Sequence, residues 1–289
     1  MSSLKEHVAR HRRSLRAATL LGVLLLCVAI AWLLVDYKSA DAIEGAAILA
    51  EIQRKGLSQY LPDSGSEDYY LITTGGQPIG WKFVYTKLEE NGGYGGGCIM
   101  LQNTGPDSVE ISASRWQLNK NASAGKYISH VFLKDALPKE IYTTEITLGD
   151  KDVQLQQSLG GKGINAASQR PANYIPEDVT RIAMFQLAQK KRNACFRTIY
   201  DGILSENSAI PFITLKCRYS GMEGGLLKLA VRSGIDNSST EDSVLFFNAA
   251  GKIVKVLSSD GVVESLSDMK TLKKTFPNSM NVIKTIVSQ

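Results

Sequence analysis

Two different rhythms of apolar residues divide this chain. From Ala17 to Val35 the sequence reads AATLLGVLLLCVAIAWLLV, an apolar run without a charge. A helix rises about 1.5 Å per residue, so a run of this length crosses a hydrocarbon core of about 30 Å. The pattern predicts a transmembrane helix over 17–35 behind a basic tail over 1–16 that carries Arg10, Arg12, Arg13 and Arg16. Cations are retained on the cytoplasmic side, which sets an N-in, single-pass topology, and Trp32 and Tyr37 then fall at the outer interface as membrane anchors. Ala40-Asp41-Ala42 fits a signal-peptidase site, but the apolar run exceeds the about 7–15 residues of a signal h-region, which favours an uncleaved anchor. A lipoprotein signal lacks its small residue, because Leu24-Leu25-Leu26 precedes Cys27.

Past the membrane, Ile43 to Tyr60 is rich in Ala, Ile, Leu and Glu and predicts a juxtamembrane helix ending near Gly56, with a polar linker over 62–68 completing a connecting segment, 36–68. From Tyr69 the rhythm shortens. The runs Tyr69–Thr74, Trp81–Glu89, Cys98–Asn103, Val109–Asn119, Tyr127–Lys134, Glu140–Leu148 and Val153–Ser158 are separated by Gly, Asn, Asp and Pro. Turn signals about a dozen residues apart are the mark of an antiparallel meander. Residues 176–192 break that rhythm: Pro176 with Glu177 and Asp178 opens a helix, and Lys190, Lys191 and Arg192 close it in agreement with the helix dipole. Strands then resume over Ala194–Leu204, Pro211–Tyr219, Leu226–Ser233, Val244–Asn248 and Lys252–Leu257. A short helix near Asp268–Phe276 and a strand Asn281–Val287 follow. The expected fold over 69–289 is mainly β (α+β): a large curved antiparallel sheet or half-barrel with one central packing helix.

Charge sharpens the topology. The net charge is +5, with 33 basic and 28 acidic residues, and Lys5, Arg10, Arg12, Arg13, Arg16 and Lys38 face only Glu6 and Asp36 in the first 38 residues. The rest holds 27 basic and 26 acidic groups, so the body as a whole offers no electrostatic footprint for nucleic acid.

Chemistry is sparse. His130 is the one histidine beyond the apolar run, in a predicted strand, and the sequence has no H-E-x-x-H, G-x-S-x-G or paired C-x-x-C. No catalytic residue, metal ligand or cofactor site is therefore assigned; a Cys-His-Asp constellation of Cys98, Cys195 or Cys217 with His130 has no local sign of an activated thiol. The glycine-rich stretches Gly92 to Gly97 and Gly160 to Gly163 do not lead directly into a helix, as a phosphate cradle requires, and read as flexible connections. A hairpin centred near Glu206 opposes Cys195 to Cys217, and an oxidising compartment would permit a disulfide there.

The hairpin Tyr70 to Lys82 with its Gly76-Gln77-Pro78-Ile79-Gly80-Trp81 turn, Asn173-Tyr174-Ile175-Pro176-Glu177, and Phe247-Asn248-Ala249-Ala250-Gly251-Lys252-Ile253-Val254 are short motifs spread over residues 69–265. Together they resemble uncharacterised bacterial membrane-anchored envelope proteins with a LolA/LppX-like curved β-sheet ectodomain. That resemblance implies a half-barrel holding an apolar ligand against a helix, with no ligand residue that maps by position. The leading expectation is an envelope binding module with a lipid or other apolar ligand on the concave face. An assembly component that contacts envelope proteins comes second and an exported hydrolase third. A periplasmic reporter fused after Val287 is expected to be active, and a silent fusion overturns the N-in orientation.

Overall fold

The computed structural model describes residues 40–103, 109–134, 138–159, 162–199, 210–235, 241–277 and 279. The predicted membrane span with Trp32 and Tyr37, the basic tail and the strand expected over 281–287 lie outside these residues. No helix among the described residues is long and apolar enough to cross a membrane.

Helix α1, residues 40–55, places Gly45, Ile48, Leu49 and Ile52 on one buried stripe. The spacing of 3, 1 and 3 residues is that of a helix face turned to a core. A 3-10 turn, Leu57–Gln59, leads into eight successive strands: β1 (Ser66–Thr74), β2 (Gln77–Leu88), β3 (Tyr94–Asn103), β4 (Val109–Leu118), β5 (Gly125–Lys134), β6 (Pro138–Leu148), β7 (Asp152–Leu159) and β8 (Lys162–Gln169). Helix α2 (Glu177–Lys190) follows, then β9 (Ala194–Ile199), β10 (Phe212–Glu223), β11 (Leu226–Ile235), β12 (Glu241–Phe247), β13 (Ile253–Ser258), β14 (Val262–Ser267) and helix α3 (Met269–Thr275).

The fourteen strands of the described residues join one antiparallel sheet in the order β8-β7-β6-β5-β4-β3-β2-β1-β14-β13-β12-β11-β10-β9. The chain runs outward from β1 to β8, crosses over through α2, and returns from β9 to β14, which pairs back onto β1 from Tyr69 opposite Ser267 to Thr74 opposite Val262. The sheet is rolled: Thr198 and Ile199 at the β9 end come up against the inner faces of β4–β6, beside Trp116, Tyr127 and Ile146. The outer edge of β9 is covered by Asn173–Ile175, with Arg197 donating to Asn173 O at 2.9 Å and Ile175 to Arg197 O at 2.7 Å.

α1 and α2 lie inside the roll. Ile48, Ile52, Leu187, Phe196, Leu229 and Phe247 belong to one core that spans both helices and both halves of the sheet. α1 is thus part of the domain and not a connector to it. The cations expected to answer the α2 dipole do more: Lys190 pairs with Glu51 and Arg192 with Glu44, tying the end of α2 to α1. Hydrogen bonds from Lys190 and then Lys55 hold the Glu51 carboxyl down at about 2. A second core on the outer face packs Trp81, Phe83, Ile99, Leu101 and Ile111 under Leu272 of α3, so β1–β4 are covered on both sides. Asp268 caps α3 by accepting from Thr271 N at 2.8 Å.

Three further expectations are corrected. Strand β8 is present although its sequence, KGINAASQ, is poor in β-formers; pairing with β7 supplies what propensity does not. The glycines at 95–97 are not a connection but lie within β3, where a side chain at Gly96 would run into the ring of Trp116 and one at Gly97 into that of Tyr85. The β9–β10 register is one residue from the expected one. Cys217 opposes Ala194 and Cys195 opposes Lys216, which turns the two cysteines to opposite faces, and both are free thiols. Gly96→Ala is expected to destabilise the domain by about 1–3 kcal/mol through overpacking against Trp116, read as a lowered denaturant midpoint; an unchanged midpoint overturns the close approach.

Candidate functional site

Residues paired across an antiparallel ladder share a face, so each register row lines one strip of the interior. The row nearest the helices runs Gly96, Trp116, Tyr127, Ile146, Leu155 and is apolar. The next runs Cys98, Ser114, Ser129, Thr144, Gln157 and is almost wholly polar. One row further lie Lys82, Met100 and Ser112. In β4 the usual alternation is inverted: Ile111 and Ala113 face outward into the second core, and Ser112 and Ser114 face the interior.

This polar strip is built into the fold. Gln157 and Thr144 are fully buried and satisfy one another, Gln157 Nε2 donating to Thr144 Oγ1 at 2.9 Å. Ser129, between Ser114 and Thr144, is only 4% exposed and its Oγ has no hydrogen-bond partner among the described residues. A buried hydroxyl left unpaired costs about 1–3 kcal/mol, so its retention asks for a function. Lys82 reaches across β1 to Glu264 of β14 at 3.0 Å and lies over the Tyr70 ring, 5.9 Å from its centroid. It is part-buried, with 29% of its side-chain surface accessible. Burial, the largest single influence, works to deprotonate it; Glu264, Cys98 and Tyr70 together outweigh that and raise its pKa. The Tyr70 phenol, donating to Ile253 O at 3.1 Å, is pushed up to about 12, chiefly by burial.

At the mouth beside α2, Asp68 is buried to 2% and accepts from Arg181 of α2 at 3.0 Å and from Lys252 of the β12–β13 turn at 2.6 Å. One carboxylate thereby ties the start of β1 to both halves of the roll, bordering a cavity of about 420 Å³.

The apolar concave face expected as the ligand site is mostly occupied by α1 and α2. A cleft of about 30 Å³ stays open between Trp116, Tyr127 and Ile146 on one side and Tyr174, Pro176 and Ile199 on the other. That is room for about one water. A larger groove of about 800 Å³ lies at the β1–β5 side of the sheet, bordered by Glu67, Tyr85, Arg115, Gln117 and Lys126.

The structure does not bring together the sequence candidates for catalysis. His130 belongs to the register row of Ala113, on the outer face of β5, with Nδ1 3.2 Å from Thr143 Oγ1. Cys98 is in an interior row, and Cys195 and Cys217 lie across the sheet on β9 and β10. Burial raises the pKa of both Cys195 and Cys217 and disfavours a reactive thiolate. No group of His, Cys, Asp and Glu among the described residues is placed to hold a metal. The sequence reading missed Lys82, Glu264, Asp68 and the Ser129 row.

A rolled, barrel-like antiparallel sheet around internal helices is the class that these features define. A solved structure shares it: a crystal structure described as a β-barrel-like protein of the domain of unknown function DUF1849 from Brucella abortus, with a TM-score of 0.51 and 9% sequence identity over 70% of this chain and 95% of that chain. At that identity the likeness shows the fold. No protein-family model and no curated protein matches the chain. Asp68→Asn leaves Arg181 and Lys252 facing a neutral amide and is expected to cost about 3 kcal/mol, measured by thermal unfolding of the full chain; an unshifted midpoint means that the cluster does not hold the roll.

Proposed function

We propose that the protein is a single-pass, N-in component of a bacterial cytoplasmic membrane whose exported domain is a binding module, not an enzyme. The ligand is amphipathic, as a lipid is. Its polar part is held by the interior strip of Ser114, Ser129, Thr144 and the Lys82–Glu264 pair, and its apolar part enters the cleft between Trp116 and Tyr174 by displacing the 173–176 segment. The observation that carries this reading is the buried Ser129 hydroxyl in the middle of that strip, which has no partner among the described residues. The apolar row beside it supplies surface for the remainder of the ligand. The LolA/LppX-like resemblance and the barrel-like fold of the DUF1849 protein agree with an interior site.

A second reading, an assembly component, is favoured by β8: among the described residues it ends the sheet with no further strand beyond it, and an open edge is a template for an added strand.

Ser129→Ala separates a ligand site from a packing defect. If Ser129 serves a ligand, the variant purified from membranes shows less co-bound lipid by native mass spectrometry, while its ligand-free form is about 1 kcal/mol more stable because the orphan hydroxyl is gone. Undiminished lipid, or a parent chain that is always empty, overturns the reading.

A further inference from the structure

The near neutrality of the body conceals a division of charge between its surfaces. On the outer face of β9–β13, two ion pairs, Lys228 with Glu223 and Arg232 with Asp242, account for the described carboxylates. Arg197, Lys216, Arg218 and Lys255 on the same face are exposed and make no ion pair among the described residues, Lys255 lying over the Phe246 ring. Lys82, Arg181 and Lys252, by contrast, spend their charge on Glu264 and Asp68. Lys216, Arg218 and the Arg232–Asp242 pair border an open groove of about 550 Å³, together with Ser259 and Leu257. Groups of this kind, cations with a hydroxyl and an apolar floor, suit phosphate-bearing headgroups.

The position of α1 says which surface lies opposite. Its start is beside the β9 edge that borders this face: a side chain at Gly45 would strike the Cys195 carbonyl, and Glu44 holds Arg192, two residues before β9. Cys195 itself is the register partner of Lys216. The predicted span ends at Val35, five residues before α1 begins, and five extended residues reach at most about 18 Å. The rim of the basic face is therefore tethered within about two Debye lengths of the bilayer at physiological salt.

We infer that the outer face of β9–β13 is a membrane-docking surface for anionic phospholipid headgroups, which lays the domain against the bilayer from which the chain emerges. The docking rests on the anchor reading of residues 17–35. It does not rest on the interior ligand, since the two sites are on opposite faces of the sheet. A domain held this way has a fixed attitude, with the start of α1 and the outer β9–β10 side turned to the lipid and the β5–β8 side away from it.

The test uses the full chain in nanodiscs of phosphatidylcholine alone or mixed with phosphatidylglycerol, with lysine acetylation rates read by mass spectrometry. Lys216 and Lys255 are expected to be acetylated about fivefold more slowly in the anionic discs, with the protection lost at high salt, while Lys151 on the β6–β7 turn reacts equally in both. Lys216→Glu with Arg218→Glu, both exposed, is expected to restore the Lys255 rate. Equal rates for the parent chain in the two lipids, or slowing that extends to Lys151, overturn the docking surface. Alkaline carbonate extraction is run beside it: a chain that is stripped from the bilayer has no anchor and the inference falls with that reading, whereas a chain that stays anchored but unprotected overturns the docking alone.

Discussion

The pairing of β1 with β14 is the contact on which the architecture depends. Every other neighbour in the sheet is also a neighbour in sequence, so the remaining ladders can form as hairpins. This one joins residues such as Thr74 and Val262, at opposite ends of the domain, and without it there are two separate meanders. Closing so long a loop costs little more than closing a shorter one, since each doubling adds only about 0.6 kcal/mol. Its price is kinetic: non-local β pairing has to wait for chance encounter, which makes this a slow-folding topology. The Lys82–Glu264 pair spans that seam and Asp68 locks it to α2, so the polar interior also secures the closure.

The interior is graded in polarity, with α1, α2 and Trp116 at one side and hydroxyls, an amide and an ion pair at the other. A sheet rolled only to bury apolar surface would place Leu, Ile and Val along every inward row. Here the inward row of Cys98, Ser114, Ser129, Thr144 and Gln157 forgoes that burial, and Gln157 and Thr144 offset part of the cost through their mutual hydrogen bond. The outer face compensates, because the second core under α3 shields Trp81, Phe83, Ile99 and Leu101.

Much of the fold was legible in local patterns. Turn residues located most strands of both meanders, and the Pro-acid start with its cationic end located α2. The shortfalls have physical causes. β8 was missed because Gly163, Ala166, Ala167 and the polar residues between them carry little intrinsic preference, and the strand exists through its partner. The Cys195–Cys217 pairing failed by one residue, since turn length sets register and the intervening chain gave no unambiguous turn. The packing of α1 could not be told from a connecting helix, because an amphipathic stripe at Gly45, Ile48, Leu49 and Ile52 does not name what it packs against. Of the interior site, one signal was present and unread: in β4 the apolar positions Ile111 and Ala113 alternate with Ser112 and Ser114, and only the curvature of the sheet reveals that the serines are on the inside. Lys82 and Glu264 come together through β1–β14 pairing, which no local pattern encodes.

Because the first buried position of α1 is Gly45, with the apolar anchors Ile48, Leu49 and Ile52 behind it, the helix contributes nothing to the core ahead of Ala42. A cut at the small-residue triplet would remove the first three residues of α1 and spare its buried stripe. The architecture is therefore compatible with two modes of deployment, tethered or released, from one and the same folded body. Processing at that point would decide where the domain acts without altering what it is.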